Sequence, residues 1–184
     1  MEFKVPFFEH DLGESEIQSI REVVGQPILT TGEFVRRFEE QFSDLLGCSE
    51  VIGLTSCTAA LHLALVALDV GPGDEVITTP LTFIATVTSI VQAGATPVFV
   101  DVEEDSGNID VDQIESAITG QTKAVMPVHL YGNMVDMRDL RSISDQYGLS
   151  IIEDSAHCIE GSRDGIRPAE LGDVACFSFY ATKS

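Results

Sequence analysis

Short apolar runs alternate with stretches of helical periodicity along this chain, and that alternation restricts the fold more than any other feature. The runs are residues 51–54, 75–79, 97–102, 124–128, 150–154 and 174–179. Each is short for a helix and is bounded by turn residues, which is how a strand buried on both faces reads. Between them, Leu61, Ala64, Leu65 and Leu68 recur at helical spacing, as do Leu140, Ile143 and Tyr147. Residues 83–93 read as a further helix closed by Gly94, and residues 110–118 as a short one. Strands alternating with helices predict an α/β fold built on a mostly parallel, doubly wound sheet with flanking helices.

Ahead of the first strand, Ile17, Ile20, Val23 and Val24 mark one helix, and Val35, Phe38, Phe42, Leu45 and Leu46 mark a second, ended by Gly47. Leu29-Thr30-Thr31-Gly32 separates them as a turn. Gly71-Pro72-Gly73-Asp74 is another turn, and Asp136 is a helix N-cap. No repeat, low-complexity segment or linker interrupts the pattern. The 184 residues, 44% of them apolar, are enough for one core, so residues 1–184 are expected to form one domain.

A formal charge of −20 argues against nucleic acid and anionic membranes as partners. The region 83–100 is broken by Thr86, Thr88, Ser89, Gln92, Gly94 and Pro97, so no membrane helix is expected. The first ten residues lack a signal-peptide core, which together with the thiols points to the cytoplasm. Cys48, Cys57, Cys158 and Cys176 form no C-x-x-C pair and read as reduced thiols, and no cluster has metal-ligand spacing.

The last stretch carries the chemistry. Residues 174–179 read as a core strand leading to Lys183. A lysine delivered inward must find a partner, lose its proton or bond an aldehyde as a Schiff base; the alternative is a solvated lysine past a strand. Asp154 closes an earlier strand, at the end where open α/β sheets bind ligands. A carboxylate for a pyridinium nitrogen and a lysine for an aldehyde are the two parts that a pyridoxal 5'-phosphate site requires.

Other residues fit that cofactor, each with a plainer alternative. Ser56, Cys57 and Thr58 lie between a strand and a helix, where backbone N–H groups and hydroxyls hold phosphate or merely cap the helix. Phe83 follows a strand and either stacks on a flat ring or fills the core. Ser178, one residue short of the strand's end, adds a phosphate hydrogen bond or is a satisfied buried hydroxyl. His157 meets the cofactor's phenolic oxygen or packs in its loop, and the use of His129 is open. No G-x-G-x-x-G or Walker loop is present.

Several motifs occur in order: Thr58-Ala59-Ala60-Leu61-His62-Leu63-Ala64-Leu65, Gly71-Pro72-Gly73-Asp74-Glu75-Val76-Ile77, Thr82-Phe83 and Gly94-Ala95-Thr96-Pro97-Val98-Phe99-Val100-Asp101. Pro127-Val128-His129-Leu130-Tyr131-Gly132, Glu153-Asp154-Ser155-Ala156-His157 and the stretch from Gly172-Asp173 to Lys183 complete the set. From Pro6 to Ser184 the chain resembles the DegT/DnrJ/EryC1/StrS family of sugar aminotransferases.

The resemblance implies an aspartate-aminotransferase-like large domain of fold type I, cut off before a C-terminal small domain, and a homodimer in the full-length form. It implies that Lys183 is the Schiff-base lysine, Asp154 the partner of the pyridine nitrogen and Phe83 the stacking ring. Cys57, Thr58 and Ser178 match the phosphate site, with Cys57 where glycine is common and His157 where glutamine is common. The implied reaction passes an amino group from glutamate or glutamine to a keto group of a nucleotide-activated sugar, in amino-sugar biosynthesis. Two alternatives remain: a sugar dehydratase, in which a histidine replaces the lysine, and a non-catalytic regulatory or sensory member. The chain alone is expected to be a poor catalyst.

Overall fold

The computed structural model describes residues 9–183. Two compact units are distinguished: the described residues up to Gly53 with Tyr180–Lys183, and Leu54–Phe179.

The first unit contains helices α1 (Glu14–Val24) and α2 (Glu33–Leu46). Glu16 reaches back to accept the Gly13 N–H at 2.6 Å, satisfying a donor that the helix start leaves open. On α2 the Phe38 and Phe42 rings stack at 5.7 Å, and Phe42 and Leu46 are buried. Gly47 ends α2 at φ 71°, a left-handed conformation that glycine adopts without Cβ strain.

The second unit begins with α3 (Cys57–Ala67) and continues through β1 (Glu75–Thr78), α4 (Ile84–Gln92) and β2 (Thr96–Phe99). A 3₁₀ turn at Val111–Gln113 leads into α5 (Ile114–Ala117), followed by β3 (Thr122–Val125), α6 (Met137–Tyr147), β4 (Ser150–Ser155) and β5 (Val174–Phe177). The sheet has five strands in the order β2-β1-β3-β4-β5, and every pairing is parallel. The chain moves from β1 to β2 on one side, then returns to place β3, β4 and β5 on the other. That reversal is the expected double winding. Pro97, which has no N–H to donate, lies on the edge strand β2.

Both faces of the sheet are covered, which is why its strands read as continuous apolar runs. Val76, Ala124 and Ile152 join Leu61 and Leu65 of α3 and Ile90 of α4 in one buried cluster. Their neighbours Ile77, Val125 and Ile151 face the opposite way and pack with Ile114 and Leu140. Each fully buried aliphatic side chain contributes about 1.5–3 kcal/mol.

Three expectations that bear on the candidate site need correction. Residues 51–54 form no strand, and Ile52 is 75% exposed. An apolar run becomes a strand only where a sheet edge supplies its hydrogen bonds. Here the Gly53 amide donates instead to the Glu39 carboxylate at 2.7 Å. The strand read as 174–179 stops at Phe177, so Ser178 lies just past it. Lys183 is therefore not delivered by a strand; it sits half-buried in a turn, its amide donating to the Tyr180 carbonyl at 2.8 Å. Among the described residues, no helix is long and apolar enough to cross a membrane.

Candidate active site

Asp154 lies near the C-terminal end of β4 and is only 5% exposed. Strand alternation puts it on the face of Ile152, toward α3 and α4, while Glu153 points to the other face. Its carboxylate is well supplied with donors. Oδ1 accepts from the Ala156 N–H at 3.2 Å, and Oδ2 accepts from the Thr86 hydroxyl at 2.7 Å. Thr86 stands in the first turn of α4, so the loop after β1 and the end of β4 meet at this carboxylate.

Phe83 is the N-cap residue of that same helix. It is 69% exposed, so it is not a core phenylalanine and its ring face is accessible. Ser56 caps α3, its hydroxyl accepting the Ala59 N–H at 3.1 Å. The amides of Cys57 and Thr58 open the helix with no carbonyl one turn earlier within it, and the helix dipole adds positive potential there.

Cys176 of β5 ties these parts together. It is the register partner of Asp154 in the sheet. Burial pushes its thiol far above the ordinary value, and Cys57, Asp154 and Glu153 add to the shift. The start of α3 and the end of β4 thus lie close enough to Cys176 to act on it. Ser178, half-buried, follows two residues later.

His157 packs face to face on Tyr131, with centroids 5.4 Å apart and planes 10° apart. Its Nδ1 accepts the Tyr131 N–H at 3.5 Å, which leaves the proton of a neutral ring on Nε2. Tyr131 holds φ 52°, unusual for a residue with a side chain.

Seven of the candidate residues, Ser56, Cys57, Thr58, Phe83, Asp154, His157 and Ser178, belong to the second unit, and Lys183 belongs to the first. Among the described residues, no group of three or more metal-ligating side chains is present.

Thr86 reads in the sequence only as a polar break in an apolar region, although Thr82 and Thr86 stand four residues apart at a helix start. The Glu153–His129 pair was also missed. His129 Nδ1 accepts the Val135 N–H at 3.2 Å, so Nε2 carries the proton and donates to Glu153 at 2.8 Å. Glu153 further accepts from the amides of Ala169 at 3.2 Å and Gly172 at 2.9 Å. Both side chains are fully buried, and this set of donors satisfies the carboxylate. Next to it, the Asp173 carboxylate accepts the Ile151 N–H at 2.7 Å and binds Arg141 at 3.2 Å. The Gly172-Asp173 pair therefore fastens the start of β5 to β4.

Residues 10–184 match the model of the DegT/DnrJ/EryC1/StrS aminotransferase family. The chain is 43% identical over 173 residues to the spore coat polysaccharide biosynthesis protein SpsC of Bacillus subtilis, covering 94% of this chain and 44% of SpsC. It is 44% identical over 156 residues to the GDP-perosamine synthase of Caulobacter vibrioides, covering 85% of this chain and 42% of that one. Among solved structures, NtdA of Bacillus subtilis with bound pyridoxamine phosphate (PMP) superposes with a TM-score of 0.87 at 35% identity. That match covers 100% of this chain and 43% of NtdA. The chain thus spans under half the length of these relatives. The ordered motifs, the parallel sheet and these matches agree, and the chain belongs to the DegT/DnrJ/EryC1/StrS aminotransferase family.

Proposed function

We propose that this chain is the cofactor-holding part of a pyridoxal phosphate-dependent sugar aminotransferase. Its reaction transfers the amino group of glutamate or glutamine to a keto carbon of a nucleotide-activated sugar, for amino-sugar or polysaccharide biosynthesis. The protein works in the cytoplasm as a homodimer. The observation that carries this reading is the buried Asp154 carboxylate at the sheet's C-terminal end, one α4 turn from an exposed phenylalanine ring.

The side chains present suit the cofactor. A pyridinium N–H needs a buried anion, and Asp154 has acceptor capacity beyond the two bonds it already receives. A flat ring needs a flat face, which Phe83 supplies. A phosphate needs donors, which the start of α3 and the Ser178 hydroxyl supply. A phenolic oxygen needs a donor, and the His157 tautomer provides Nε2–H.

When bound, the cofactor supplies an electron sink for the bond cleaved at the donor's Cα. Asp154 holds the proton on the pyridine nitrogen through a charge-assisted hydrogen bond. Ser56, Cys57, Thr58 and Ser178 anchor the phosphate and so set the ring's position. Lys183 would hold the aldehyde carbon through Nζ, and the same Nζ would serve as the base and acid that moves a proton between the donor's Cα and C4′. The same side chain would serve the proton movements in the opposite direction for the sugar. A family dehydratase would have histidine where Lys183 stands.

Borohydride reduction of the full-length protein, followed by peptide mapping, tests the reading. Cofactor fixed to the peptide containing Lys183 is the expected result; cofactor on Lys4 or Lys123, or none retained, overturns it.

A further inference from the structure

The donors to Asp154 form a chain with a direction. Thr86 Oγ1 lies 2.7 Å from Asp154 Oδ2 and 2.7 Å from Thr82 Oγ1. An ionised carboxylate has no proton to give, so Thr86 commits its single hydroxyl proton to Asp154. Its oxygen must then accept from Thr82. The order of donation is Thr82 to Thr86 to Asp154. Thr86 is fully buried and Thr82 partly so, and bonds in series polarise one another in such surroundings. The contact also spans 68 positions of sequence, joining the helix that begins at Phe83 to the strand that carries Asp154.

We propose that Thr86, oriented by Thr82, is a positioning residue for the cofactor. It fixes the rotation of the Asp154 carboxylate, so that an oxygen lone pair faces the pyridine nitrogen. It also ties that carboxylate to the helix start that carries Phe83. The proposal rests on the reading of the site as a pyridoxal phosphate site. It differs from a purely structural use of Thr86, in which the hydroxyl only satisfies buried polar atoms and leaves the cofactor's affinity unchanged.

The test is a titration of the full-length protein with pyridoxamine phosphate. That probe has no aldehyde, so it reports the noncovalent contacts without Lys183. Thr86→Val keeps the branched shape and removes the donor; it should weaken the probe about tenfold, the value of one charge-assisted hydrogen bond. Thr86→Ser should restore binding to near the parent value. Thr82→Val, which removes only the distal donor, should weaken it by a smaller factor of about two to three. In an Asp154→Asn background, Thr86→Val should add little, because the hydroxyl acts through that carboxylate.

Unchanged affinity in Thr86→Val, or an undiminished further loss in the Asp154→Asn background, overturns the proposal. If Thr86→Val does not fold, Thr82→Val and Thr86→Ser decide. Parent-like affinity in Thr82→Val, or a loss of about tenfold in Thr86→Ser, then overturns it. An Asp154→Asn variant that binds as tightly as the parent instead overturns the cofactor site itself, a separate outcome.

Discussion

Asp154 concentrates the chemistry proposed for this protein into one side chain. Asp154→Asn keeps the shape and removes the carboxylate proposed to hold the proton on the pyridine nitrogen. Transamination by the full-length protein should fall by a factor corresponding to a few kcal/mol, on the order of a hundredfold or more. A parent-like single-turnover rate would contradict the assignment. Lys183→Ala should retain pyridoxal phosphate noncovalently yet fail to transaminate, because it removes the group proposed to move the proton between Cα and C4′. A difference spectrum and a turnover assay read the two effects separately. Cys176 offers a third check. Burial raises its thiol pKa above the ordinary value of 9.0, so it stays protonated where an unfolded thiol begins to ionise. Its contribution to stability is complete below that value and declines as the pH rises through the folded-state pKa. At pH 8 an aromatic disulfide reagent should leave Cys176 unmodified in the folded chain and modify it after unfolding; rapid labelling of the folded chain would refute this. The Asp154 and Lys183 candidates were legible because their residue types suit one cofactor and because Asp154 ends a strand. Thr86 was not legible, since a threonine near a helix start is ordinary until packing brings a carboxylate from a distant strand to its hydroxyl.

The elements that hold the site depend on close backbone approach. Gly172 donates to Glu153, and a Cβ at residue 172 would overlap that carboxylate. Gly172→Ala should therefore destabilise the chain by about 1–3 kcal/mol through overpacking against a buried charge. Thermal unfolding measures the loss, and an unchanged midpoint would be inconsistent with this packing. The helices were readable in outline because amphipathic spacing and caps are local: Gly47, Gly94 and Asp136 stand at or beside the ends they were expected to mark. The segment 51–54 was not, because its strand character depended on a sheet edge that its own residues do not encode. The C-terminal end of β5 was misplaced for the same reason, since pairing with β4 covers only Val174 to Phe177.

Across the molecule, apolar side chains remain exposed on the outer surface of the second unit. They include Leu63 and Val66 on α3, Ile84 and Val91 on α4, and Phe99 on β2. Apolar surface left open in this way favours association. The net charge of −20 opposes it by mutual repulsion, which salt screens. Sedimentation of the purified chain should therefore show association that strengthens with ionic strength. A monomer at all salt concentrations would count against it.

By itself the sequence determined the alternation of strands and helices, and with it a doubly wound parallel sheet, because burial of both faces writes continuous apolar runs into the strands. It also determined the set of residue types suited to one cofactor. Only the tertiary structure decided which apolar runs find a partner strand and whether Phe83 faces solvent or core. It alone placed a buried hydroxyl from α4 on the carboxylate of β4. Each of these depends on groups far apart in the chain, and distance in sequence carries no signal of contact until the layers pack.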